Sequence, residues 1–226
     1  MPILRYRDKT IYYAHIPKCA GSSVEDYLQD RFGPLDLLDR GWHSRPDEIR
    51  RGKSSPQHMT LEALYRQFPS DMFDLHFAMV RHPARRLISA FLHNRNHRLI
   101  DPFLSLDGLL RFLEDGDPTI HTNTDNHFLP ATAFVDPSAK VFRLEDGGGD
   151  LIRWLDALAG DSDGPRELPR SNEKSAPPAE AQSQLRNRII SQLQPQLPAL
   201  GRPFLARIAA IYSDDFDRFG YDPFSI

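Results

Sequence analysis

IYYAHIPKCAGSSVEDYL, residues 11–28, decides the fold. With Thr10 in front of it, the first half (TIYYAHI, 10–16) is β-branched and aromatic, the composition of a buried strand. The second half runs on as SSVEDYLQDRF, where serine can cap a helix and Glu25 and Asp26 stand in the first turn. The segment therefore reads strand, loop, helix. A turn in that place presents unpaired N–H groups and the positive end of a helix dipole, and so attracts phosphate-like anions. Gly21 lets backbone approach a ligand, Ser22 and Ser23 add hydroxyl donors, and Lys18 can set an ammonium on the same anion. The order is not that of a nucleotide-hydrolase loop, because G-x-x-x-x-G-K-[ST] is absent and Lys18 precedes the glycine. Taken alone, such a turn is more often an ordinary connection between strand and helix.

A second strand is expected at 75–80 (LHFAMV), stopped by Arg81-His82-Pro83, with proline opening a helix to about residue 98. In that helix Ala84, Leu87, Ile88, Phe91 and Leu92 form an apolar stripe at helical spacing. A short helix over LEALYRQF, a helix over LSLDGLLRFLED, a third strand over AKVFRLED and a helix over GDLIRWLDALAG follow the same logic. Residues 33–57 and 161–184 read as long surface loops. Strands alternating with helices predict an α/β fold, a central parallel sheet covered by helices on both faces, as one domain over 1–226.

Composition narrows the function. With 226 residues, 40% hydrophobic and 26% charged, the chain can bury one core. A formal net charge of −3 gives no global attraction to nucleic acid or an anionic membrane, so an anion site must be a local gathering of Lys and Arg. The single Cys19 excludes an internal disulfide or multi-cysteine metal site and fits a reducing compartment. The N-terminus lacks the apolar core of a signal peptide and no stretch approaches a membrane span, so a cytoplasmic protein is expected. Nothing in the pattern fixes an oligomeric state.

RHPARRLISAF (81–91) repeats the design of the first loop: Arg81 leaves a strand, and Ser89 lies two turns into the next helix. By itself it would read as solvated arginines, Arg85 and Arg86, and a small packing serine. HIPKCAGSS followed some sixty residues later by RHPARRLISAF resembles the paired signature of sulfotransferases that use 3′-phosphoadenosine 5′-phosphosulfate (PAPS), above all the soluble, bacterial-type carbohydrate sulfotransferase branch. The likeness extends more weakly to His58, DNHFLP (125–130), VFRLED (141–146), LPRSNEKS (168–175) and FDRFGYDPF.

That resemblance implies a three-layer, P-loop-like fold and a set of roles. Pro17, Lys18, Cys19, Ala20, Gly21, Ser22 and Ser23 would hold the 5′-phosphosulfate, and Arg81 and Ser89 the 3′-phosphate. Arg170, Ser171, Asn172 and Lys174 would close over the donor. Cys19, Ala20 and His82 depart from the commoner threonine, glycine and acidic or amide residue of the pattern.

Sulfuryl transfer is in-line, so the protein mainly positions the groups and stabilises developing charge, a task for Lys18. The acceptor hydroxyl needs a base, and His58, placed as the histidine of many carbohydrate sulfotransferases is, is the candidate, with an exposed loop histidine as the plain alternative. His121, Asn126 and His127 are candidates to shape the acceptor pocket, and His93 and His97 read as solvated. The histidines lack metal-ligand spacing, so no metal is expected. The acceptor is expected to be a carbohydrate, glycolipid or small-molecule hydroxyl. An ATP-dependent kinase and a non-catalytic nucleotide-binding module are the competing classes.

Overall fold

The β-branched and aromatic residues at the N-terminus form two strands rather than one. The computed structural model describes residues 2–50, 52, 54–169 and 201–226. In it, Ile3–Tyr6 (β1) pairs antiparallel with Lys9–Ala14 (β2), Ile3 opposite Tyr12 and Tyr6 opposite Lys9. Arg7, at φ 53°, takes the left-handed conformation that a tight hairpin needs. The sequence gives no separate sign of β1, and it overruns β2. That strand ends at Ala14 because the Ile16 N–H folds back onto the Ala14 carbonyl at 3.0 Å.

Leu75–Val80 (β3) lies parallel to β2, with Ile11 opposite Leu75, and Lys140–Arg143 (β4) lies parallel to β3, with Phe77 opposite Lys140. The order is β1-β2-β3-β4. The expected parallel sheet is thus a mixed one: three parallel strands, with antiparallel β1 beside β2. Gly21–Phe32 (α1) and Leu61–Tyr65 (α2) lie between β2 and β3. Pro83–Asn96 (α3), Leu106–Glu114 (α4) and Thr119–Asn123 (α5) lie between β3 and β4. Gly149–Ala159 (α6), Arg202–Ile211 (α7) and Ser213–Phe219 (α8) follow.

Alternation along the strands sorts the core into layers. Ile11, Tyr13, Phe77, Met79 and Phe142 face α1 (Val24, Tyr27, Leu28) and α6 (Leu151, Ile152, Leu155). Tyr12, Ala14, Ala78 and Val80 face the other way, against Leu64, Phe73, Phe134, Val135 and Phe219. A third cluster joins α3 to α4 and α7 through Leu87, Phe91, Leu109, Leu110 and Ile208.

Two adjacent arginines on α3 part company. Arg85 is exposed, whereas Arg86 is wholly buried. Arg86 donates to the His127 and Leu129 carbonyls at 3.3 and 2.7 Å, lies 3.7 Å from the Asp215 carboxylate and stacks on the Tyr212 ring. Asp215 in turn accepts from the Ala131 and Thr132 amides at 2.8 and 2.9 Å. This bracket holds the 127–132 backbone against α3 and α8. Removing one partner strands a buried charge, so Asp215→Ala is expected to cost about 3–5 kcal/mol in urea unfolding. A loss below about 1 kcal/mol, the worth of an exposed pair, would contradict that reading.

Candidate active site

The loops that leave β2 and β3 meet at the carboxyl ends of the parallel strands, where ligands of open α/β sheets bind. They border a cavity of about 800 Å³. Lys18, Gly21, Ser22, Arg81 and Ser89 line one part of it, and His43, His58, His93, His97 and His127 another.

Two left-handed residues, Lys18 (φ 69°) and Ala20 (φ 62°), turn the first loop sharply. For residues with a Cβ this conformation costs about 1–2 kcal/mol each and persists only where the surroundings impose it, commonly at functional sites. Ala20 supplies no side-chain cap, so the amides that open α1 remain available to a ligand. Gly21 is required here, because a Cβ would sit 2.0 Å from Nε2 of His15. His15 is fixed in turn by a hydrogen bond between its Nδ1 and buried Glu25, which Arg40 approaches at 3.5 Å. Cys19 is buried, its thiol pushed up to about 12 by burial. Its side chain belongs to the core beside Ile16 and Val80.

Burial, and after it the neighbouring Arg81, hold the Lys18 ammonium below its ordinary pKa. Arg81 donates to the Lys18 carbonyl at 3.5 Å, and among the described residues no carboxylate pairs with either cation. Two cations beside a helix N-terminus, with no carboxylate partner among the described residues, are suited to an anion. Behind it, His82 does at the start of α3 what an aspartate or asparagine would do. Its Nδ1 accepts from the Ala84 amide at 3.2 Å, and its Nε2 lies 3.0 Å from the Asp222 carbonyl. Glu145 accepts from the His82 amide and the Tyr221 hydroxyl, at 2.8 and 2.9 Å, rather than pairing with Arg143.

His58 ends the single turn Pro56–His58 ahead of α2. Its Nδ1 lies 2.7 Å from Oδ2 of Asp125, and the Asn126 amide donates to its carbonyl at 2.9 Å. Asp125 also accepts from the Ser55 amide (2.6 Å) and hydroxyl (2.8 Å), with His43 Nε2 at 3.0 Å. Burial alone would raise this carboxyl, but the bonds from His43, His58 and Ser55 hold it far below the usual range. His127 packs edge-on to His58 at 5.1 Å and to His93 at 5.0 Å, and Asn94 donates to its Nδ1 at 2.9 Å.

Of the sequence candidates, Lys18, Ala20, Gly21, Ser22, Arg81, Ser89, His58 and His127 line the cavity. Asn126 turns instead to the His58 backbone, and His121, on α5, is not among the lining residues. Arg170, Ser171, Asn172 and Lys174 lie outside the described residues. His93 and His97, read as solvated, both line the cavity, His97 exposed as read and His93 half-buried. The sequence reading missed Asp125, Ser55 and His43. Its one available signal was the Asp-Asn pair at 125–126, residue types that tolerate the left-handed φ of 51° and 61° seen there.

His58, Asp125 and His127 offer ligand atoms within 4.8 Å of one another, a grouping the spacing of the sequence hid. Donors about 2.0–2.2 Å from a tetrahedral zinc would stand farther apart than the 2.7 Å between His58 and Asp125, a separation that fits a shared proton.

The family model described as sulfotransferase family matches residues 2–222. The chain belongs to the sulfotransferase family. No curated protein matches it. Among solved structures, a sulfotransferase from Alicyclobacillus acidocaldarius aligns over 96% of this chain and 100% of its own at 16% identity. Its TM-score of 0.41 is too low to add to the assignment. No described helix of this sulfotransferase is long and apolar enough to cross a membrane.

Burial first, then Lys18 and the neighbouring imidazoles, keep two of the sulfotransferase's cavity histidines neutral, His93 down to about 3 and His127 lower still. Burial likewise lowers His15 against the pull of Glu25, and it lowers His76 and His121. An unfolded chain binds these protons near pH 6.5 while the folded chain does not, so stability is full above about 6.5 and falls as pH drops towards 3. The melting temperature is therefore expected to fall between about pH 7 and pH 5, less steeply in His127→Gln. A flat profile would contradict this.

Proposed function

We propose that this sulfotransferase moves a sulfuryl group from PAPS to a hydroxyl of a carbohydrate-containing or other small acceptor, acting as one domain over residues 1–226. One observation carries the reading: a single cavity joins the start of α1 and two cations with no carboxylate partner among the described residues, Lys18 and Arg81, to a carboxylate-held imidazole, His58. PAPS supplies the sulfuryl group with a bisphosphate leaving group, and the anion site has the charge and the amides to hold it. Lys18, Gly21, Ser22 and Ser23 would hold the 5′-phosphosulfate, and Arg81 and Ser89 the 3′-phosphate.

The acceptor oxygen forms its bond to sulfur as the sulfur–oxygen bond to the 5′-phosphate breaks. Lys18 offsets the negative charge that grows on that phosphate oxygen. With Nδ1 engaged by Asp125, His58 has Nε2 left to take the hydroxyl proton. His43, Gln57, His97 and Leu99 line the same cavity and give the acceptor both polar and apolar contacts.

Incubation with PAPS and a panel of sugar, phenol and alcohol acceptors tests the reading. The expected result is acceptor-dependent release of adenosine 3′,5′-bisphosphate with one sulfuryl group added to the acceptor. Tight binding without turnover of any acceptor would favour a non-catalytic module. Magnesium-dependent consumption of ATP would favour a kinase.

A further inference from the structure

We propose that Asp125 is a positioning residue for sulfuryl transfer, setting the tautomer of His58 so that its cavity-side nitrogen is a base. The inference rests on the reading of His58 as that base. Asp125 is 96% buried by its 4% exposure, and its loop is tied on three sides. The Asn126 amide nitrogen donates to the His121 carbonyl at 2.8 Å, the Asn126 side chain holds the His58 carbonyl, and Arg86 holds the His127 carbonyl. The carboxylate therefore has little freedom to turn.

The partners of its two oxygens decide the chemistry. Oδ1 takes the Ser55 backbone amide at 2.6 Å, and a backbone amide can only donate. Oδ2 faces the Ser55 hydroxyl, His43 and, at 2.7 Å, Nδ1 of His58. An ionised carboxylate only accepts, so Nδ1 of neutral His58 carries the proton and Nε2 keeps a lone pair. When Nε2 takes the acceptor proton, the imidazolium lies against a carboxylate that stays ionised. Asp125 has no place among the cavity-lining residues, so it acts through His58 and not on the acceptor.

The Ser55 amide also makes the prediction sharp. In Asp125→Asn the side-chain oxygen must stay on that amide, which turns the NH₂ group towards His58. That group donates, so His58 shifts to the tautomer protonated on Nε2, which cannot take a proton from the acceptor. Asparagine, the closer match in shape, is therefore expected to be worse than alanine. The expected fall in kcat is about 10³–10⁴-fold for Asp125→Asn, the scale of a wrong tautomer. For Asp125→Ala, which leaves His58 free to choose, it is about 10²-fold, the low end for a general base. A merely structural role predicts the opposite order. Affinity for adenosine 3′,5′-bisphosphate, held by Lys18 and Arg81, is expected to change less than about threefold in both, since those contacts are untouched.

The test combines these rates with nitrogen-15 NMR of histidine-labelled protein, which reads the His58 tautomer without any acceptor. Wild type should be protonated on Nδ1 and Asp125→Asn on Nε2. Protonation of wild-type His58 on Nε2, or an unchanged tautomer in Asp125→Asn, overturns the proposal. His58→Ala separates it from the reading beneath it. If His58→Ala keeps its turnover, His58 is not the base and both fall. If His58→Ala loses turnover while Asp125→Asn stays within threefold of wild type, the positioning role alone falls.

Discussion

Lys18→Ala is expected to lower kcat for sulfuryl transfer by about 10²–10³-fold, the effect of deleting one preorganised group from a site of developing charge. Three observations set that size. Lys18 lies in the cavity at the start of α1, it has no carboxylate partner among the described residues, and burial with Arg81 nearby already presses it towards losing its proton. A cation held at that disadvantage gains most when a multiply charged anion arrives. Stability should change little, or even rise, because the substitution removes a half-buried cation rather than a packed side chain, while alanine keeps the same Cβ at the left-handed φ. Steady-state rates beside thermal melts check both halves. A variant that loses stability and activity together would place Lys18 in the scaffold instead. Lys18→Arg keeps the charge and is expected to recover part of the rate.

His58→Ala is expected to lower kcat by about 10²–10⁴-fold, the range for a general base, while binding of the nucleotide product stays close to wild type. The separation follows from the layout. Lys18, Arg81 and the start of α1 are the proposed anion site, whereas His58 belongs to the loop ahead of α2 and is held by Asp125 and Asn126. Rates at saturating donor, beside calorimetry with adenosine 3′,5′-bisphosphate, measure the two effects independently. Equal losses in both would show that His58 serves the anion site.

The end of the cavity lined by Lys18, Gly21 and Arg81 was legible in the sequence because it is built from contiguous segments. A strand, a turn with glycine and lysine, and a helix are written within residues 10–32, and Arg81 with Ser89 repeats the pattern, although the helix opens at Ala20 without the serine cap read there. What held His58 was not legible. Asp125 lies 67 residues further along the chain and reaches it through tertiary packing. Nor could spacing say which of two neighbouring arginines is buried. The apolar stripe of α3 is buried at Ala84, Leu87 and Phe91 as read, but Ile88 and Leu92 are only half-buried and the packed face extends instead to Arg86, Ala90 and Asn94. Ser89, His93 and His97, four residues apart, follow one line along the helix and reach the cavity. Strand β1 was hidden for another reason: a four-residue strand is too short for its alternation to stand out.

Calorimetric titration with adenosine 3′,5′-bisphosphate and with AMP, in wild type and Arg81→Ala, bears most directly on the anion site formed by the two loops. The expected result is that wild type prefers the bisphosphate by about tenfold or more, a charge-assisted contact of some 1.5–3 kcal/mol, and that Arg81→Ala loses most of that preference. Equal affinity for the two nucleotides in wild type, or a preference untouched by Arg81→Ala, would contradict it.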